Sequence, residues 1–412
     1  MIKTMAKNPV KNASSQQKMK ASNIALLFGL IRKNMPISRA QLATMTGLSP
    51  TTVSMLVDEI IQSKWVCEVG PDNATMRGRK PIMLHVNASG GYVVTVEILS
   101  HGFICCLYDI CLHKHEHIRV RGASVTSDRV TEEIRTMLKN RRIPLYRLLG
   151  IHVLFPGLFN HETGTFVSSA VLPLEDLIDK NLVASLRERF PKANVRVSNV
   201  TSAIAYREFL SDDYVPETRL LSVNIDEGIS AAVILGDVRK ECNSLFELEI
   251  GHIIVERNGP LCKCSNHGCL ETMCSTVALF RKLNERAPLS LSYSDFFGAE
   301  QNAQAMAQVA AAFLAKDPVV METMQEYCFT LCCGLVSVIN LFDVQSIHIS
   351  GSILTLGSGF IDLVRTTMQN HFKLSSSLGR ISIDGSVSDY ESMRCAAVTM
   401  SMDQIFQEAE PA

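Results

Sequence analysis

His252, Cys262, Cys264 and Cys269 place one imidazole and three thiols within 18 residues. Soft sulfur donors with one nitrogen favour a tetrahedral zinc ion in a closed structural site. Gly259, Pro260 and Gly268 permit the turns that bring four such side chains together. The spacing alone is equally compatible with free thiols in a loop. His267 lies inside the same loop as a further imidazole. A second run, His113-Lys114-His115-Glu116-His117, carries three imidazoles at alternate positions and reads as a solvated strand edge. The pairs Cys105-Cys106 and Cys332-Cys333 sit in apolar surroundings and read as buried, inert cysteines.

The 412 residues suffice for two or three domains, and 47% hydrophobic residues can fill their cores. No apolar run reads as a membrane span, and the Lys-rich N-terminus does not read as a secretory signal. Thirteen cysteines, an odd number, point to a reducing, cytoplasmic setting. The net charge of −1 hides an asymmetry: residues 1–88 hold 12 Lys and Arg against 4 Asp and Glu, the remainder 28 against 37. A basic module on an acidic body suits a polyanionic partner such as double-stranded DNA.

The elements of that module follow from pattern. Residues 1–20 are polar and read as a flexible basic arm. Ile24, Leu26, Leu27, Leu30 and Ile31 recur at helical spacing until Asn34-Met35-Pro36. Ser38 caps a short helix over 39–45, and Thr46-Gly47-Leu48 turns the chain. Ser49 caps a third helix with Pro50 at its first position, and Val53, Leu56, Val57, Ile60 and Ile61 make its buried face. Residues 21–88 are thus a winged helix-turn-helix, with wing strands at 65–69 and 82–86. Ser49, Thr51, Thr52, Ser54 and Met55 are placed to approach base edges and phosphates in the major groove. Arg77, Arg79 and Lys80, between Gly78 and Pro81, form a narrow basic segment suited to a minor groove. A small helical protein-interaction domain is the alternative.

From Gly90 the chain alternates strands and helices. Strands at 91–99, 103–110 and 115–121 read as a meander, followed by a helix at 130–138 and a buried strand at 148–155. A second cycle begins with strands at 220–225 and 229–235, and ends in a long helix near 388–407. The fold class is α/β, with duplicated lobes and a ligand cleft between them. The first lobe is assigned to 89–198 plus the C-terminal helix of about 388–412. The second takes 199–387, with the metal loop at 252–269.

Glu249-Ile250-Gly251-His252, followed by Cys262-x-Cys264-x-x-x-Gly268-Cys269-x-Glu271, closely resembles the ROK family of repressors, open reading frames and sugar kinases. The resemblance extends over nearly the whole chain, including Phe155-Pro156-Gly157 and Val338-Ile339-Asn340-Leu341-Phe342 before Ser350-Gly351-Ser352. It implies an actin-like, ribonuclease-H-like sugar-kinase fold with one structural Zn2+ per chain on His252, Cys262, Cys264 and Cys269. His267 matches a non-ligand position. It further implies that Glu249, His252, Glu271 and Asn199 contact sugar hydroxyls.

The resemblance fails where a kinase needs it most. Val200 stands where the family's catalytic base, an Asp, follows the Asn. The family's D-x-G-G-T turn reads Glu97-Ile98-Leu99-Ser100-His101, and its glycine-rich second turn reads Asp226-Glu227-Gly228-Ile229-Ser230-Ala231-Ala232. Neither suits ATP phosphates. The chain therefore reads as a non-enzymatic regulator, a repressor of carbohydrate genes that responds to a sugar or sugar phosphate and does not use ATP. A homodimer or homotetramer would match paired half-sites. The alternatives are an active ATP-dependent sugar kinase and a regulator governed by a protein partner, such as a sugar-transport component, with a vestigial cleft.

Overall fold

The computed structural model of the chain describes residues 15–71, 81–99, 102–122, 124–169, 172, 178–211, 218–236, 245–286, 291–293, 299–372, 381–386 and 390–408. Two compact units are present: residues up to 91 with 109–111 and 402–412, and residues 92–108 with 112–401.

The first unit opens with α1 (Ser15–Asn34) and β1 (Ile37–Ser38). Then come α2 (Arg39–Thr46), α3 (Pro50–Gln62), β2 (Val66–Pro71) and β3 (Ile82–Val86). Helix α1 begins earlier than its apolar periodicity suggests, so residues 15–20, expected in the flexible arm, are helical. Met19 is the one apolar residue among these six, which leaves no amphipathic pattern to read. Ser38 and Gln41 form a reciprocal capping box at α2, and Gly47 ends the helix in the left-handed region at φ 69°. Ser49 Oγ accepts from the Thr52 N–H at the start of α3. β3 pairs antiparallel with β1 and with β2 to form the wing sheet. The core gathers Leu27, Phe28, Leu42, Leu56 and Leu84. Phe406 closes it, its ring 5.0 Å from those of Phe28 and Trp65.

The second unit holds two five-stranded sheets. The first contains β4 (Tyr92–Leu99), β5 (Gly102–Asp109), β6 (Lys114–Arg121), β7 (Leu148–Phe155) and, after the ribbon β8 (Leu158–Asn160)/β9 (Thr165–Ser168), β10 (Asn194–Asn199). The second contains β11 (Leu220–Ile225), β12 (Ile229–Ile234), β13 (Leu245–Leu248), β14 (Ser346–Ser350) and β15 (Ser382–Gly385). Their orders are β6-β5-β4-β7-β10 and β13-β12-β11-β14-β15. Each is a three-stranded antiparallel meander whose first strand continues into two parallel strands. One plan repeated is the mark of a duplicated lobe.

The intervening helices are α4 (Ser127–Asn140), α5 (Leu182–Arg189), α6 (Val200–Phe209), α7 (Leu270–Cys274), α8 (Thr276–Arg286), α9 (Ala299–Leu314), α10 (Pro318–Phe342), α11 (Ser358–His371) and α12 (Tyr390–Glu408). α4 and α5 join the core on one face of the first sheet, which holds Val96, Ile134, Val153 and Leu186. On another face, α6 and α12 pack Ala203, Tyr206, Met393 and Ala397 around Leu154. Helix α10 is long and apolar enough to cross a membrane, a feature not anticipated from the sequence. Met324, Tyr327, Leu331 and Leu335 instead pack it into the second sheet's core. Helix α12, expected wholly in the first lobe, divides: its residues through Ser401 belong to the second unit and those from Met402 to the first. Edge strand β6 leaves His117 exposed, while the His115 ring lies 5.6 Å from that of Tyr92. Cys105, Cys106 and Cys332 are buried, whereas Cys333 is half-exposed.

Candidate metal, sugar and nucleic-acid sites

The loop between His252 and Cys269 is shaped by close backbone approaches. Gly268 has φ 67°, and a Cβ there would lie 1.5 Å from the Glu256 carbonyl oxygen. The Cys262 N–H donates to the Asn266 carbonyl at 2.7 Å, closing the turn that carries Cys264. Ligand atoms of His252, Cys262, Cys264 and Cys269 all lie within 4.8 Å of one another. Cys262 Sγ is 3.5 Å from His252 Nδ1, and Cys264 Sγ is 3.6 Å from Cys269 Sγ. A tetrahedral zinc with ordinary Zn–S and Zn–N lengths needs edges of about 3.5–3.8 Å, so the four residues fit one. Burial pushes the Cys269 thiol up to about 12, and the Asn266 backbone N–H holds the Cys264 thiol below its ordinary value. His267 faces away, its Nδ1 3.1 Å from the Gly259 carbonyl oxygen.

Three of the four residues expected to meet a sugar cluster beside this loop. With its Nδ1 toward the thiols, His252 presents Nε2 to Glu249, 3.8 Å away. Glu271, on the first turn of α7, accepts from the Ile229 N–H at 3.0 Å. Burial pushes its carboxyl above the usual range. Gly251 allows this approach, since a Cβ there would lie 2.4 Å from the Ile229 carbonyl oxygen. Asn199, the fourth, also has a structural part. It caps α6: its Oδ1 accepts from the Thr201 N–H at 2.9 Å, and its Nδ2 donates to the Gly157 carbonyl at 3.3 Å. Val200 is half-buried against the core around Leu154.

Sequence reasoning missed Glu247. Its Oε1 accepts from the Asn199 N–H at 2.6 Å and from the Ser202 hydroxyl at 2.8 Å. A single carboxylate in a short strand gives no sequence signal of such a contact.

The turns that the resemblance matches to phosphate-binding turns hold contacts among the chain's own groups. Glu97 is buried and accepts from Arg394 Nε and Nη2 at 2.9 and 2.6 Å. Ser100 and His101 lie outside the described residues. The Asp226 carboxylate takes the Ser352 N–H at 2.5 Å and Asn224 Nδ2 at 2.8 Å. Glu227 takes Asn302 Nδ2 at 2.5 Å.

In the helix-turn-helix, Thr51 and Met55 are exposed on α3, Met55 to 52%. Ser49 and Thr52 pair their hydroxyls at 2.8 Å. Ser54 is half-buried and engaged by Arg39, whose Nη1 donates to its hydroxyl at 3.0 Å and to its carbonyl at 3.2 Å. Arg39 also reaches Asp58 and Glu68 at 2.8 and 3.0 Å, tying α2, α3 and β2 together. Arg77, Arg79 and Lys80 lie outside the described residues.

A winged helix in one chain with two lobes of repeated strand order and a thiol-rich loop beside clustered carboxylates defines a winged-helix protein built on a sugar-kinase fold. The chain belongs to the ROK family, whose pattern matches residues 93–408. A xylose repressor of Bacillus subtilis (strain 168) is 29% identical over 345 residues, 83% of this chain and 85% of that one. The DNA-binding transcriptional repressor Mlc of Escherichia coli (strain K12) is 25% identical over 305 residues, 73% and 74% of the two chains. The solved structure of a ROK family transcriptional regulator, a homologue of E. coli Mlc, superposes with TM-score 0.74 at 21% identity, over 95% of this chain and 98% of that one. A ROK hexokinase from Thermus thermophilus gives TM-score 0.58 at 18% identity, over 75% and 97%.

Proposed function

We propose that this chain is a DNA-binding transcriptional repressor of carbohydrate genes, released from its operator by a sugar or sugar phosphate. The effector would sit against Glu249, His252 and Glu271. The observation that carries this reading is the capped α3, exposing Thr51 and Met55, in the same chain as that carboxylate and imidazole cluster. The relatives named xylose repressor and Mlc support it. Carboxylates accept from vicinal hydroxyls, and an ion on His252 Nδ1 would fix the ring so that Nε2 faces the sugar. One zinc per chain on His252, Cys262, Cys264 and Cys269 would be structural, and the protein would act in the cytoplasm as at least a dimer on paired half-sites.

Phosphoryl transfer is not part of the proposal. Val200 cannot take a proton, and Glu97, Asp226 and Glu227 put carboxylates where phosphates would need donors. Operator binding titrated with D-xylose, D-glucose, N-acetylglucosamine and their phosphates tests the reading. Release by one of them is expected. Indifference to all of them, or sugar-dependent ATP consumption at about 1–100 per second, would overturn it.

Arg77→Ala combined with Arg79→Ala should weaken operator binding at every sequence. The slope of log affinity against log salt should become shallower by about 1.8, near 0.9 for each phosphate that is no longer neutralised. An unchanged slope would remove the wing from the interface. Thr51 and Met55, by comparison, are proposed to read sequence.

A further inference from the structure

The geometry points to Glu247 as an effector-binding, specificity-determining residue: it presents a carboxylate oxygen to a sugar hydroxyl at the helix start where Val200 cannot. This rests on the reading of the cleft as a sugar site. Strand alternation sends Leu245 and Glu247 to one side of β13 and Phe246 and Leu248 to the other. Leu245 packs with the α6 cluster, whereas Leu248 packs with the core of the second sheet. Glu247 therefore faces the beginning of α6. There the Asn199 N–H and the Ser202 hydroxyl hold Oε1 at 2.6 and 2.8 Å. The positive end of the helix dipole favours the charge at this point.

Among the described residues, none donates to Glu247 Oε2, and the side chain is only half-buried. An anchored carboxylate with one free oxygen is an acceptor already oriented, so a hydroxyl that meets it immobilises little more. The surroundings belong to the proposed cleft. Thr201, next along α6, shares a short hydroxyl contact with Ser230. Ser230 follows Ile229, whose N–H holds Glu271. Glu249 lies two residues beyond Glu247 on the same segment. The acidic group at this end of the site is thus delivered from β13 instead of from the first residue of α6. It serves binding alone, because the phosphate turns are closed by Glu97 and Asp226.

A carboxylate that merely capped α6 would make the same two hydrogen bonds, so the test must separate the roles. Glu247→Gln keeps an acceptor for Asn199 and Ser202 but puts an NH2 donor at the free position. Full-length protein is titrated calorimetrically with D-xylose, D-glucose and N-acetylglucosamine, and then with monodeoxy analogues of whichever binds. The variant should melt within a few degrees of wild type, as the loss of one charge at a helix N-terminus allows, and should keep its metal content and effector-free operator affinity. It should bind the sugar at least about tenfold more weakly, as expected for a hydrogen bond to a charged group. One monodeoxy analogue should bind wild type and variant alike, identifying the hydroxyl. Equal sugar affinity in variant and wild type, or a loss equal for every deoxy analogue, would overturn the role of Glu247 and leave the cleft intact. A wild-type protein that binds none of the three sugars would overturn the cleft itself, and this inference with it.

Discussion

Cys264→Ser is expected to strip the chain of its metal and much of the stability of its second lobe. The four donor atoms lie within 4.8 Å of one another, so a single ion would tie the two ends of the loop together in addition to its backbone hydrogen bonds. Inside it, the Cys262 N–H and the Gly268 N–H bond to the Asn266 and Pro260 carbonyls at 2.7 and 2.9 Å. A serine hydroxyl does not replace a thiolate toward zinc, and at such a site binding energy is folding energy. The effect should extend to the proposed sugar cluster, because His252 would be a ligand and is also a neighbour of Glu249, and Glu271 lies two residues past Cys269. Elemental analysis should fall from about one zinc per chain to none. The melting temperature should drop by several degrees, and chelator should move wild type toward the variant but leave the variant unchanged. A wild-type protein purified without zinc, or a Cys264→Ser protein that keeps its zinc, would sink the site.

Arg394→Ala should cost about 3–5 kcal/mol, the usual result of leaving one member of a buried ion pair without its partner. The side chains of Arg394 and Glu97 are 10% and 5% exposed. Glu97 lies near the end of β4, and Arg394 projects from the second turn of α12. The pair is extended by Glu391, which accepts from the Tyr108 hydroxyl at 3.0 Å and from Lys114 Nζ at 2.7 Å. Removing both charges, as in Arg394→Met with Glu97→Gln, should recover most of the loss, because the penalty comes from the orphaned carboxylate. Denaturant unfolding measures both changes. A single variant as stable as wild type would mean that water reaches Glu97 and solvates it.

These effects mark where the sequence was legible. Caps and turns were plain, because Ser49-Pro50 and the glycine after Thr46 act on their own neighbours. The clustering of His252, Cys262, Cys264 and Cys269 was legible for the same reason: the four are close in sequence and Gly259 and Gly268 fix the turns between them. The start of α1 was not, since residues 15–20 are helical without an apolar stripe. Long-range pairs carry no local pattern at all. Glu97 and Arg394 are 297 residues apart, and the engagement of Ser54 by Arg39 depends on how α2 crosses α3. Asn199 matched a family position, yet its carboxamide is bound to backbone groups, which only coordinates reveal.

The last helix bears on how the protein comes into being. Phe406, 2% exposed, fills the core beside Phe28 and Trp65, so the winged-helix unit is built from segments far apart in the chain. A ribosome makes α1 to β3 long before Phe406, and at about 5–20 residues per second the interval is tens of seconds. Through that time the nascent winged helix lacks one of its core aromatic rings. The unit can finish its core only once the sugar-kinase-like body has been synthesised, so a nascent chain still without that body does not yet carry a complete winged helix.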